Sequence, residues 1–171
     1  KYYYVTEEGE RKHGKVTVNG KEYTLTEDED GAKADWKQVD GKWYYYNAKG
    51  EMQKGWLQVN GTWYYLGTDG EMQKWWIFEG GKWYYLNGSG EMQKGWLQDN
   101  NKWYYLNTSG AMETNWVDVS GEWYYMNNSG AMVTGWQKIG SSWYYFKDSG
   151  ALLTNGTTPD GYKVNANGEW V

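Results

Sequence analysis

With 171 residues, a net charge of −5 and no cysteine, the chain excludes disulfides, thiolate metal sites and a strongly basic nucleic-acid surface. Burial has to come from indoles and phenols, since 14 Trp and 18 Tyr stand against 2 Phe. No apolar run approaches the ~20 residues of a membrane-spanning helix, and none reads as a signal peptide.

The chain starts at Lys1 without an initiator methionine, which predicts a fragment or mature piece of something longer. Residues 1–35 read as degenerate hairpin repeats. Tyr2 to Val5 predict the second strand of a hairpin whose first strand is cut off. Val16-Thr17-Val18, the turn pair Asn19-Gly20, and Glu22-Tyr23-Thr24-Leu25 predict a complete hairpin. Asp28, Asp30 and Gly31 fit the middle of a calcium loop, but Thr26 and Lys37 occupy its first and last ligand positions. The stretch therefore reads as a solvated turn.

Residues 36–155 are a regular array with a period of about 20 residues, the mark of a stacked repeat. One column of tryptophans is Trp36, Trp56, Trp76, Trp96, Trp116 and Trp136; a second is Trp43, Trp63, Trp83, Trp103, Trp123 and Trp143. Two tyrosines follow each member of the second column, and glycines keep step from Gly50 to Gly150. In the copy at Trp56, an Asn60-Gly61 turn pairs Val59 with Thr62, Gln58 with Trp63, Leu57 with Tyr64 and Trp56 with Tyr65. Strand alternation then puts Trp56, Gln58, Trp63 and Tyr65 on one face, and Leu57, Val59, Tyr64 and Leu66 on the other. The aliphatic face reads as core and the aromatic face as partly open. A lone two-stranded hairpin is marginal in water, so the rungs must stack.

Residues 156–171 predict a C-terminal capping hairpin. Gly156 replaces the first tryptophan, Tyr162 replaces the second one residue early, and Trp170 ends the pattern. Lys163-Val164 stand where two tyrosines are expected, which leaves Trp136 and Trp143 without a partner ring.

Little here predicts catalysis. His13 is the only histidine and has no recurring nucleophile beside it. Glu51, Glu71 and Glu91 sit in turns rather than forming an isolated inward-facing pair. No cofactor and no metal site is expected. The aromatic columns carry the functional signal: cages of ring faces between adjacent hairpins suit a quaternary ammonium ion, whose methyl groups and charge both favour ring faces. The competing structural reading is that the rings only pack hairpin on hairpin.

The repeat GW-x-x-x-x-G-x-WYYL-N-x-x-G-x-M stands here as GWLQVNGTWYYLGTDGEM and GWLQDNNKWYYLNTSGAM, and the chain ends TTPDGYKVNANGEWV. It resembles the choline-binding repeats (cell-wall-binding repeats) of streptococcal and pneumococcal choline-binding surface proteins and phage lysins. The resemblance implies an all-β fold, a left-handed β-solenoid of stacked hairpin repeats. It implies a non-catalytic module anchored to choline or phosphorylcholine on teichoic and lipoteichoic acids at the bacterial cell surface. Any enzymatic domain would be N-terminal to it. Family sites take two Trp from one repeat and a Tyr from the next, with a Met or Leu beside them. Carried over, this joins Trp36 and Trp43 with Tyr65, Trp56 and Trp63 with Tyr85, and Trp76 and Trp83 with Tyr105. It likewise joins Trp96 and Trp103 with Tyr125, and Trp116 and Trp123 with Tyr145. The second tyrosine of each pair is chosen from strand alternation, the first being its substitute if the register slips. Met72, Met92, Met112 and Met132 are the candidate apolar walls, and Trp75 is expected to crowd the site at Trp76.

Two alternatives stay open: a glucan-binding repeat module and an aromatic-packed spacer. Against repeated sugar contacts, the polar column reads Gln38, Gln58, Phe78, Gln98, Asp118 and Lys138. Some arrays of this kind pair through a terminal hairpin, which leaves a homodimer open.

Overall fold

The structure is a computed structural model that describes residues 14–18, 21–25 and 34–171. Tyr2 to Val5 and the acidic stretch 27–31 lie outside those residues. The chain divides into two compact units, Lys1–Gln73 and Lys74–Val171. Among the described residues the secondary structure is all β, and no helix is long and apolar enough to cross a membrane.

Among the described residues the first unit holds three hairpins: β1 (Gly14–Val18) with β2 (Lys21–Leu25), β3 (Asp35–Val39) with β4 (Lys42–Tyr46), and β5 (Gly55–Val59) with β6 (Thr62–Leu66). The second holds β7 (Trp75–Glu79) with β8 (Lys82–Leu86), β9 (Gly95–Asp99) with β10 (Lys102–Leu106), and β11 (Asn115–Val119) with β12 (Glu122–Met126). It continues with β13 (Gly135–Ile139) and β14 (Ser142–Phe146), and ends in the short pair β15 (Gly156–Thr157) and β16 (Lys163–Val164). Each hairpin is its own two-stranded sheet, the architecture of a hairpin solenoid.

The register is the one the turn residues dictate. Trp56 faces Tyr65, Leu57 faces Tyr64, Gln58 faces Trp63 and Val59 faces Thr62. Asn60 and Gly61 take φ of 49° and 82°, the paired positive angles of a tight hairpin turn. The predicted pairing of β1 with β2 is present as well, with Val16 opposite Tyr23.

From β3–β4 onward, a short loop after the hairpin brings one apolar residue back to bridge the end of the second strand, as in Leu66 with Met72, Leu106 with Met112 and Phe146 with Leu152. An asparagine shapes several of these loops. The Asn107 side-chain oxygen accepts from the backbone N–H of Ser109 and Ala111, both near 3 Å. Leu66 in the first unit, and Leu86, Leu106, Met126 and Phe146 in the second, are wholly buried at the ends of their strands. The aliphatic face expected to be core is unevenly buried: Val117 is buried as well, whereas Val39 is exposed.

Glycine is required in the loops for two reasons at once. Gly110 has φ of 85°, and a Cβ there would lie 2.5 Å from the Met92 sulfur. Gly130 and Gly150 are crowded in the same way by Met112 and Met132, so these loop glycines make room for a methionine of the preceding repeat.

Candidate functional site

Within each unit, successive rungs are tied by one recurring backbone bond. The N–H of Met72 donates to the Trp43 carbonyl at 2.7 Å, Met112 to Trp83 at 2.8 Å, and Met132 to Trp103 at 2.7 Å. Leu152 donates to Trp123 at 2.7 Å and Trp170 to Trp143 at 2.9 Å. This bond sets a methionine or its substitute beside a second-column tryptophan of an earlier rung.

The ring contacts across the gap are made by the first tyrosine of each pair. Trp36 meets Tyr64 with centroids 4.9 Å apart, Trp76 meets Tyr104 at 5.0 Å, Trp96 meets Tyr124 at 4.7 Å and Trp116 meets Tyr144 at 5.0 Å. All are edge-to-face, a favoured geometry for aromatic pairs. Tyr65, Tyr105, Tyr125 and Tyr145, expected across the gaps, lie instead on the tryptophan of their own rung. The pairs are Trp56–Tyr65, Trp96–Tyr105, Trp116–Tyr125 and Trp136–Tyr145, at 5.1 to 5.4 Å. Tyr85 sits likewise on Trp76 at 5.1 Å.

The reason is the stacking rather than the register. Trp96, Trp103 and Tyr105 do share a face, as alternation requires. When every rung repeats the last by the same step, however, that face meets the opposite face of the following rung, which carries Tyr124. The second tyrosine therefore buttresses the cage from within its own hairpin, while the first closes the cage from the next.

One interior gap is an open cavity of about 380 Å³ lined by Trp96, Trp103, Tyr124 and Met132, with Asp148 and Ser149 at the next loop. Trp96 and Trp103 stand edge-to-face at 6.4 Å, as do Trp56 with Trp63 and Trp116 with Trp123. The outer tryptophans keep much of their surface in solvent: Trp83 is 44% exposed, Trp103 40% and Trp123 45%. A regular row of large, half-open rings is costly for a structure that needs only packing.

Tyr124 is fixed as a neutral ring. Burial raises its pKa above the ordinary tyrosine value, aided by the hydroxyl donating to Glu122 Oε2 at 3.1 Å. At the neighbouring gap the Trp76 indole N–H donates to Asp99 Oδ2 at 3.1 Å. Burial, reinforced by that carboxylate, raises the pKa of Tyr85. Trp75 does not crowd its gap as expected. Its exposed ring turns toward Tyr85 at 6.1 Å, and the Trp76–Tyr104 distance matches the other rungs.

The last rung also departs from expectation. Trp136 and Trp143 are not left without partners: with Asp160, Tyr162 and Trp170 they line a cavity of about 360 Å³. Tyr162 meets Trp136 at 6.0 Å and Trp170 at 6.1 Å. The early tyrosine thus fills the closing position, and Trp170 takes the place in the backbone pattern that methionines hold in the interior.

The profile described as "Choline-binding repeat" matches residues 32–76, 75–115 and 113–156, so the matched segments span most of the sequence. This chain belongs to the choline-binding repeat family. The choline-binding repeats align with choline-binding protein F of Streptococcus pneumoniae, crystallised with a peptidoglycan analogue, at 43% identity and a TM-score of 0.78. That match covers 99% of this chain and 61% of the other. CbpJ of S. pneumoniae TIGR4 matches at 42% identity and a TM-score of 0.78, over 99% of this chain and 61% of CbpJ. The pneumococcal cell wall endolysin of phage Cp-1, complexed with choline, is 35% identical with a TM-score of 0.51, over 84% of this chain and 45% of the endolysin. This choline-binding repeat chain thus spans less than two thirds of each of these proteins. No curated protein sequence matches significantly.

Proposed function

We propose that the interior cages bind choline, and that through them the chain anchors a surface protein to phosphorylcholine of teichoic and lipoteichoic acids. The carrying observation is the unfilled cavity bounded by Trp96, Trp103, Tyr124 and Met132. Ring faces attract a trimethylammonium group by their quadrupoles, and the methionine gives its methyl groups an apolar wall. The equivalent sets are Trp36, Trp43, Tyr64 and Met72; Trp76, Trp83, Tyr104 and Met112; and Trp116, Trp123, Tyr144 and Leu152.

A single cage with no fixed donor for the ligand's hydroxyl should bind near millimolar, about −4 kcal/mol. Residues 36–155 would present several at regular steps, and a polymer carrying many cholines gains by avidity. That suits reversible wall attachment at the cell surface. The role is binding, not catalysis; a catalytic or adhesive activity would belong to another part of the protein.

Sugar recognition has weaker support. The Gln58 side chain donates to the Gly61 carbonyl at 3.3 Å and Asp118 accepts from Gly121 N–H at 2.9 Å, so both serve their own turns. The test is thermal unfolding in choline. A ligand selective for the native state raises stability as RT ln(1 + [L]/Kd), so choline well above millimolar should raise Tm and perturb tryptophan fluorescence. No change in either would refute the reading.

A further inference from the structure

The closing rung differs in its lining from the Trp96 cage. Its cavity is bounded by four rings, Trp136, Trp143, Tyr162 and Trp170, and by one carboxylate, Asp160. The carboxylate is held in place. Trp136 Nε1–H donates to Asp160 Oδ2 at 2.9 Å, and the hydroxyl of the buried Thr158 donates to Asp160 Oδ1 at 2.6 Å. The same hydroxyl oxygen accepts from Tyr162 N–H at 3.0 Å, so one buried threonine orients both the acid and the closing ring. These bonds also keep Asp160 ionised to lower pH than an ordinary aspartate. Two carboxylate oxygens offer about four lone-pair sites, so capacity remains for a further donor.

In the interior cavity the rings and Met132 give an ammonium N–H nothing to bond to; Asp148 reaches it from a loop tip, without a buried threonine to fix it. A fully methylated cation needs no such partner, whereas one bearing N–H has only the loop-tip groups Asp148 and Ser149 to pair with. At the closing rung such a donor meets a fixed anion, and a charge-assisted hydrogen bond adds to the attraction of the rings.

We propose that the Trp136–Trp143–Tyr162–Trp170 cage is a second class of ammonium site, selective for protonated secondary or tertiary amines that donate an N–H to Asp160. It extends the reading of the interior cages but rests on different residues. The chain would then hold quaternary ammonium groups in its interior cages and accept a less methylated amine at its last rung.

The test is titration of the full chain with dimethylammonium and with tetramethylammonium chloride, followed by the indole N–H resonances of Trp136 and Trp96. The preference for dimethylammonium over tetramethylammonium should be at least ~10-fold greater at Trp136 than at Trp96. Asp160→Asn, which keeps an acceptor for the Trp136 indole, should abolish that difference, and Tyr162→Ala should weaken both ligands at Trp136 alone. Equal preferences at the two sites would overturn the proposal, as would a Trp136 resonance unmoved by either ligand while Trp96 responds. A dimethylammonium-preferring response at Trp136 without any response at Trp96 would support it while sinking the choline reading, and an unselective one would overturn both. Silence at both would sink the two together.

Discussion

The identity of the gap-closing tyrosine separates stacking from simple alternation and can be tested by a paired substitution. Tyr124 lies 4.7 Å from Trp96 across the gap, while Tyr125 lies 5.3 Å from Trp116 within its own rung. Both are half-buried, and each has an edge-to-face partner. Tyr124→Leu and Tyr125→Leu should therefore cost similar folding stability, about 0.5–1.5 kcal/mol of ring contact each. They should differ in ligand binding at the Trp96 cage. Tyr124 contributes one partly desolvated ring face there, worth about 1 kcal/mol, or roughly fivefold in Kd. Tyr125 faces away from that cavity and should leave its Kd unchanged. The assay is choline titration followed at the Trp96 indole resonance, with urea unfolding to equalise for stability. A larger loss of affinity from Tyr125→Leu than from Tyr124→Leu would refute the face-to-opposite-face stacking.

Three further outcomes are expected. Gly150→Ala forces a side chain into a φ of 85° and against Met132, so it should destabilise by about 1–3 kcal/mol and weaken choline most at the Trp96–Trp103–Tyr124 cage; uniform weakening at every cage would contradict this. Trp75 holds a φ of 67° where Gly55, Gly95 and Gly135 stand in other rungs, and its ring is largely exposed, so Trp75→Gly should raise stability by about 1 kcal/mol in chemical unfolding; a loss would show that its contact with Tyr85 outweighs the strain. Asp160 has its carboxyl pKa lowered from the ordinary 3.8 by the Thr158 hydroxyl and then the Trp136 indole, so its tie to the last rung is fully present above that value and lost as pH falls through the lower folded-state value. The Trp136 indole resonance should accordingly stay constant from neutral pH to about 4, and a midpoint above the ordinary aspartate value would contradict the assignment.

Much of this architecture is legible in the residues. The period, the Asn60-Gly61 turn and alternation along Trp56 to Val59 are local signals, and they define the register and both faces of a rung. Which tyrosine closes a gap is not local. Tyr124 and Tyr125 are adjacent, and only the step from one rung to the next decides which of them Trp96 meets. The methionines were recognisable because their column is regular, but their second role, filling the space left by a glycine one repeat later, needs the stacked structure. The last cage was hidden because its tyrosine comes early and its wall is Trp170 rather than a methionine. The backbone bond from Trp170 to Trp143, equivalent to that from Met132 to Trp103, reveals the correspondence.

The most direct measurement is diffraction from crystals soaked in choline. Trimethylammonium density should lie within ~6 Å of the ring centroids of Trp96, Trp103 and Tyr124, with Met132 alongside. Empty cages at saturating choline, or density seated against Tyr125 and away from Tyr124, would contradict the account.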